Sequence, residues 1–174
     1  MTEPLVYPLT FPQQSIWNIE QFYGNTSYTN LVMTTIIRES VNLDLLEKAA
    51  NHIIQQHEAL RLRIILSRGQ PYQYISEIRK HKLDRFDFSD SNGSEEFAGW
   101  QDKQTRKPFQ LFDSDLFYSA LIRLSNNQVA LYTKFHHLIA DAWTIILIVR
   151  DILNTYKDLV NQVPLLIEQK PFLS

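Results

Sequence analysis

Between Val129 and Arg150 the spacing of apolar residues changes its period, and this limits what the chain can fold into. Val129, Leu131, Thr133 and Phe135 alternate with Ala130, Tyr132, Lys134 and His136, the period of two of a strand. From Trp143 onward, Trp143, Ile146, Val149, Leu153, Tyr156 and Val160 recur every three or four residues, as on one stripe of a helix. His136, His137 and Asp141 fall at the junction. A strand-to-helix connection is a common seat of chemistry, because a rigid scaffold holds a polar loop open to a ligand.

Adjacent residues on a strand point to opposite faces, so His136 and His137 are poorly placed to grip one metal ion. The chain has no Cys, which removes thiolate ligands, thiolate catalysis and disulfides. Residue types alone leave two readings open. One imidazole serves as a general base or holds a proton donor, with Asp141 as an anchor. Otherwise the stretch is a polar strand end with two ordinary histidines.

The remaining chain reads as alternating helices and strands. Leu5–Leu9 is a short apolar segment broken by Pro4 and Pro8; Thr10 caps a helix that carries Trp17 and stops at Gly24-Asn25. A strand spans 30–39, and Asn42 caps a helix that ends near Gln56-His57. Leu60–Leu66 is a strand with Arg61 and Arg63 on one side, returning through Arg68-Gly69 to 72–75. His57 and Glu58 read as helix-end residues, and His52 and His81 as surface residues. A strand at 83–88 leads to a helix capped by Ser94 and ended by Lys107-Pro108. Strands at 116–124 and 128–135 form a hairpin through Ser125-Asn126-Asn127, which delivers both histidines. The pattern predicts an α/β (α+β) sandwich, a mixed sheet with helices packed on it.

With 44% hydrophobic residues over 174 positions, the chain can bury a sizeable core within one domain. A formal net charge of −2 without long like-charge runs gives no footing for nucleic acid or an anionic membrane. No apolar run approaches membrane length and the N-terminus has no signal-peptide pattern, so the expected location is cytoplasmic.

His136-His137-Leu138-Ile139-Ala140-Asp141-Ala142-Trp143 resembles the His-His-x-x-x-Asp-Gly motif of condensation domains of nonribosomal peptide synthetases, in the chloramphenicol acetyltransferase superfamily. Two further segments match in order. Thr10-Phe11-Pro12-Gln13-Gln14-Ser15-Ile16-Trp17 is similar to Ser-x-Ala-Gln-x-Arg-Leu/Met-Trp, and Gln56-His57-Glu58-Ala59-Leu60-Arg61 to Arg-His-Glu-x-Leu-Arg-Thr. Lys107–Leu111 and Gly69–Gln73 also look like family segments. The departures are Ala142 for the motif glycine, Ser15 and Gln56 for arginines, and Leu62 for threonine.

The resemblance implies a chloramphenicol acetyltransferase-like lobe, with 1–174 as the N-terminal of two lobes and the C-terminal lobe missing. It implies amide-bond formation between acyl or aminoacyl thioesters carried on the phosphopantetheine arms of donor and acceptor carrier proteins, with no bound cofactor and no metal. His137 would be the catalytic residue in the cleft, and His136 a structural residue facing inward. Ala142 and Trp143 would lie near the substrate. Arg61 would pair with Asp141 and clamp the histidine loop to the sheet; breaking such a buried pair costs about 3–5 kcal/mol. A native start at Met1 would suit a starter domain that N-acylates the first amino acid. The rival readings are a lobe of an epimerisation domain and a noncatalytic carrier-binding domain. The isolated lobe is expected to have little turnover and to expose the face its partner lobe covers.

Overall fold

A computed structural model describes residues 5–24 and 26–166. A four-stranded sheet forms its centre, built from β2 (Asn30–Ile37), β5 (Asp84–Phe88), β6 (Phe117–Leu124) and β7 (Val129–His136) in the spatial order β2-β7-β6-β5. β7 is central and antiparallel to both neighbours, whereas β5 joins the edge parallel to β6. A smaller sheet has the order β1-β4-β3, from β1 (Tyr7–Pro8), β3 (Leu62–Ser67) and β4 (Gln70–Ile75). Among the described residues, four α-helices complete the fold: α1 (Phe11–Tyr23), α2 (Leu43–Gln56), α3 (Gly93–Arg106) and α4 (Ala142–Val160).

Every residue of β7 is buried, so its alternation does not separate a wet face from a dry one. Val129, Leu131 and Phe135 join the main core with Leu46, Ala49, Ala50 and Ile53 of α2 and Ile145, Ile148, Val149 and Ile152 of α4. Ala130 and Tyr132 face the other way, into a cluster that includes Phe97 and Trp100 of α3. Helices thus cover both faces of the sheet, and the mixed architecture expected from the pattern is the one observed.

Local chemistry sets the element ends. Asn126 and Asn127 both adopt left-handed φ, 57° and 58°, the two-residue turn that suits a twisted hairpin, and this fixes the β6–β7 register. Asn42 caps α2 by accepting from the amides of Asp44 and Leu45. Helix α3 begins at Gly93 rather than after a Ser94 cap. A Cβ at position 93 would lie 1.8 Å from the Phe88 carbonyl oxygen, so only glycine lets the chain turn so tightly out of β5. Gly24 ends α1 as expected; Asn25, Pro4 and the segment Pro171–Ser174 lie outside the described residues.

Two expectations are corrected. Arg61 and Arg63 do not share a strand face: Arg61 closes a short 3-10 turn (Glu58–Arg61), and β3 starts at Leu62. The buried stripe of α4 is Ile145, Ile148, Val149, Ile152 and Thr155, about one position out of phase with the expected stripe. Trp143 is 67% exposed, and Ile146 and Val160 are exposed too. Helix α4 is apolar around most of its first turns, so spacing alone does not fix the phase. The α2 face it packs on does.

Candidate active site

Strand β7 carries His136 into the interior and releases His137 into the turn before α4. Two backbone bonds fix the strand end: the His136 amide donates to the Leu116 carbonyl at 2.8 Å, and the His137 amide donates to the Thr29 carbonyl at 2.9 Å. The turn closes with the Ile139 amide on the His136 carbonyl at 3.0 Å.

The His136 side chain is 1% exposed and fully committed. Its Nδ1 accepts the Leu138 amide proton at 3.1 Å. That bond requires an unprotonated Nδ1, which leaves Nε2 as the N–H. Nε2 lies 3.0 Å from Thr29 Oγ1 and 3.2 Å from a carboxylate oxygen of Glu20. The Thr29 hydroxyl donates to the same Glu20 oxygen, and Phe109 meets the imidazole edge-on. Burial pulls the His136 pKa below its ordinary value, with the Glu20 carboxylate acting in the opposite direction.

His137 has the opposite character. Its ring is half-buried and, among the described residues, makes no hydrogen bond; only its backbone is tied down. The two adjacent imidazoles therefore have different roles available, one locked and one free to meet a reactant. A cavity of about 480 Å³ lies elsewhere, lined by residues such as Asp44, Glu47, His52 and Arg85, and includes neither His136 nor His137. Among the described residues, no three metal-ligating side chains gather to hold an ion.

Helix α1 braces the histidine turn. Gln13, in the first of the family-like segments, donates to the Leu138 carbonyl at 3.0 Å. Its amide is also paired head to tail with that of Gln73 on β4, at 2.8 and 2.9 Å, and its oxygen accepts the Thr10 amide at 2.9 Å. Both side chains are buried and satisfied.

The expected Arg61–Asp141 clamp is not formed. Asp141 is exposed and caps α4, accepting from the Thr144 amide at 2.7 Å and the Thr144 hydroxyl at 2.6 Å. These bonds hold its carboxyl below the usual range. Arg61 donates instead to the Ser76 carbonyl at 2.7 Å. A carboxylate five residues past the strand sits one residue before the helix, where orphan amides need an acceptor, and this local demand wins. Arg63 takes the ionic role at this end of β3, paired with Asp115, which Arg79 also contacts. His81 lies beside that cluster, packed on Phe117 rather than on the open surface.

Ala142 occupies the first position of α4 and is not among the residues with left-handed φ, so alanine in place of the motif glycine carries no backbone strain. Trp143, expected near the substrate, follows it on the exposed side.

Glu20 and Thr29 do not stand out in the sequence as site residues, although a signal exists. The buried residues of α1 are Gln13, Trp17 and Glu20, spaced four and three apart. Polar groups on the inward stripe of a short helix announce a buried network.

The chain is similar to known proteins in both sequence and fold. Surfactin synthase subunit 1 of Bacillus subtilis (strain 168) is 35% identical over 159 residues, which are 89% of this chain and 4% of that protein. The dimodular nonribosomal peptide synthase of the same organism is 29% identical over 161 residues, 92% of this chain and 7% of the relative. The starter condensation domain of rhizomide synthetase superposes with a TM-score of 0.85 at 23% identity, over 92% of this chain and 39% of the other, and so shares the fold. The chain thus spans a small part of its curated relatives, and the family described as Condensation domain matches residues 5–174. With its mixed sheet and the paired histidines at the end of β7, this chain belongs to the condensation-domain family of nonribosomal peptide synthetases.

Proposed function

We propose that the chain is the N-terminal lobe of a condensation domain that joins a carrier-bound acyl or aminoacyl thioester to a carrier-bound aminoacyl acceptor. The observation that carries the reading is the division of labour between the histidines. His136 spends both ring nitrogens on the protein, whereas the half-buried His137 ring is left for a reactant.

In this reading the acceptor amine attacks the thioester carbonyl, a C–N bond forms and the C–S bond breaks. The amine gives up a proton and the thiol leaves with one. His137 takes the amine proton or holds the amine by a hydrogen bond, and the turn supplies the position. The phosphopantetheine arms arrive on the substrates, from the donor and acceptor carriers. The two-lobe reading draws support from the coverage of solved condensation domains, 39% and 40% of their chains, and from the exposed Trp143 and Ile146 beside the site.

The test is an aminoacyl-transfer assay with loaded carriers on the complete domain. Product formation should fall by about a hundredfold or more in His137→Ala. Equal product from both proteins would remove His137 from the mechanism. Inversion at the α-carbon, with its proton exchanged and no amide formed, would point to epimerisation instead.

A further inference from the structure

We propose that Glu20 is a positioning residue for His137, acting through Thr29 and His136. The inference rests on the amide-forming role given to His137 above.

Glu20 is 4% exposed and Thr29 is 3% exposed, at the centre of the fold where a lone carboxylate is costly. The carboxylate accepts from the Thr29 hydroxyl and from the His136 ring, and its neighbours on α1 are committed elsewhere: Gln13 to Gln73 and Leu138, Trp17 to Phe112. Its acceptor fixes the proton of His136 on Nε2. Only that tautomer leaves Nδ1 open for the Leu138 amide at 3.1 Å, and that amide belongs to the turn that carries His137. Thr29 joins both histidines at once. Its hydroxyl is 3.0 Å from the His136 ring, and its carbonyl accepts the His137 amide at 2.9 Å. With the proton on Nδ1 instead, two N–H groups would face each other at Leu138 and the turn would have to open. The carboxylate thereby selects a tautomer, and the tautomer holds the backbone from which the free imidazole projects.

The test has two arms. In the first, ring 15N signals of His136 are recorded in this chain for the parent, Glu20→Leu, Glu20→Gln and Thr29→Val. The parent and Glu20→Gln, which keeps an acceptor oxygen, should show the Nε2–H tautomer; Glu20→Leu should shift toward Nδ1–H and deprotect the Leu138 amide in hydrogen exchange. Thr29→Val keeps the backbone carbonyl and supplies the readout if Glu20→Leu does not fold. It should weaken the tautomer preference while the His137 amide stays protected. In the second arm, kcat of the complete domain should fall about tenfold to a hundredfold in Glu20→Leu with little change in KM, and recover in Glu20→Gln. An Nδ1–H ring in the parent, or an unchanged ring and unchanged kcat in Glu20→Leu and Thr29→Val, would overturn the proposal. If the tautomer responds as expected while His137→Ala keeps full turnover, the reaction assigned to His137 is wrong, and the Glu20 lock on the turn still stands by the first arm.

Discussion

The side-chain amide of Gln13 donates to the carbonyl of Leu138 at 3.0 Å, across 125 positions of sequence, and joins the start of α1 to the turn that carries His137. Gln13 also completes a reciprocal amide pair with Gln73, so one buried side chain ties together α1, β4 and the histidine turn.

Replacing Gln13 with leucine leaves the Leu138 carbonyl and the Gln73 amide without this partner in a buried setting. Each buried group left unsatisfied costs about 1–3 kcal/mol, so Gln13→Leu should lower stability by roughly 2–4 kcal/mol in urea unfolding. Gln13→Glu should do nearly as badly, because a carboxylate cannot donate to either oxygen. A loss below about 0.5 kcal/mol in both would mean that the amide pair does not bear on stability.

Asp141→Ala separates a helix cap from a buried ion pair. Loss of a cap costs about 0.5–2 kcal/mol, against about 3–5 kcal/mol for a broken buried salt bridge. We expect the smaller loss, with most of it recovered in Asp141→Ser. A double-mutant cycle with Arg61→Met should give a coupling within about 0.5 kcal/mol of zero.

The pH dependence of His136 has a definite sign. Its folded pKa is depressed by burial, so the unfolded chain takes up this proton first as pH falls. The contribution is fully present above the unfolded value of about 6.5 and is lost as pH drops below it. The urea midpoint should fall as pH drops below about 6.5, and part of that fall should vanish in His136→Gln.

Lys134 gives a second window on the alkaline side. Its side chain is buried; the ammonium donates to the Gln104 and Lys107 carbonyls at 3.0 and 2.8 Å and lies 4.5 Å from the Phe109 ring centre. Burial lowers its pKa to about 8. From there to the unfolded value of about 10.4, the unfolded chain binds the extra proton, so stability from this residue rises with pH. The difference in unfolding free energy between the parent and Lys134→Met should move in favour of the parent from about pH 7.5 to 9.5. A flat difference would mean that the ammonium is as well solvated in the fold as in the unfolded chain.

Most of the architecture is legible in the sequence because local rules decide it. The Asn126-Asn127 turn, the Asn42 cap and the switch of period after His136 place the hairpin, α2 and α4 without reference to anything distant. The paired histidines and the Gln13 segment point to the family for the same reason: they are contiguous words. Long-range partnership is not legible. Asp141 looks like a partner for Arg61 and belongs to Thr144, the α4 stripe reads out of phase, and Glu20 looks like an ordinary helix residue.

The sequence by itself determined which segments are helix and strand and which residues stand at the end of β7, since both follow from spacing and capping within a few positions. Only the tertiary structure decided which imidazole is locked and which is free, because that depends on Glu20, Thr29 and Gln13 meeting the end of β7 from more than a hundred positions away. Hydrogen bonding in a dry interior is selective by geometry, and geometry at that range exists only once the helices have closed over the sheet.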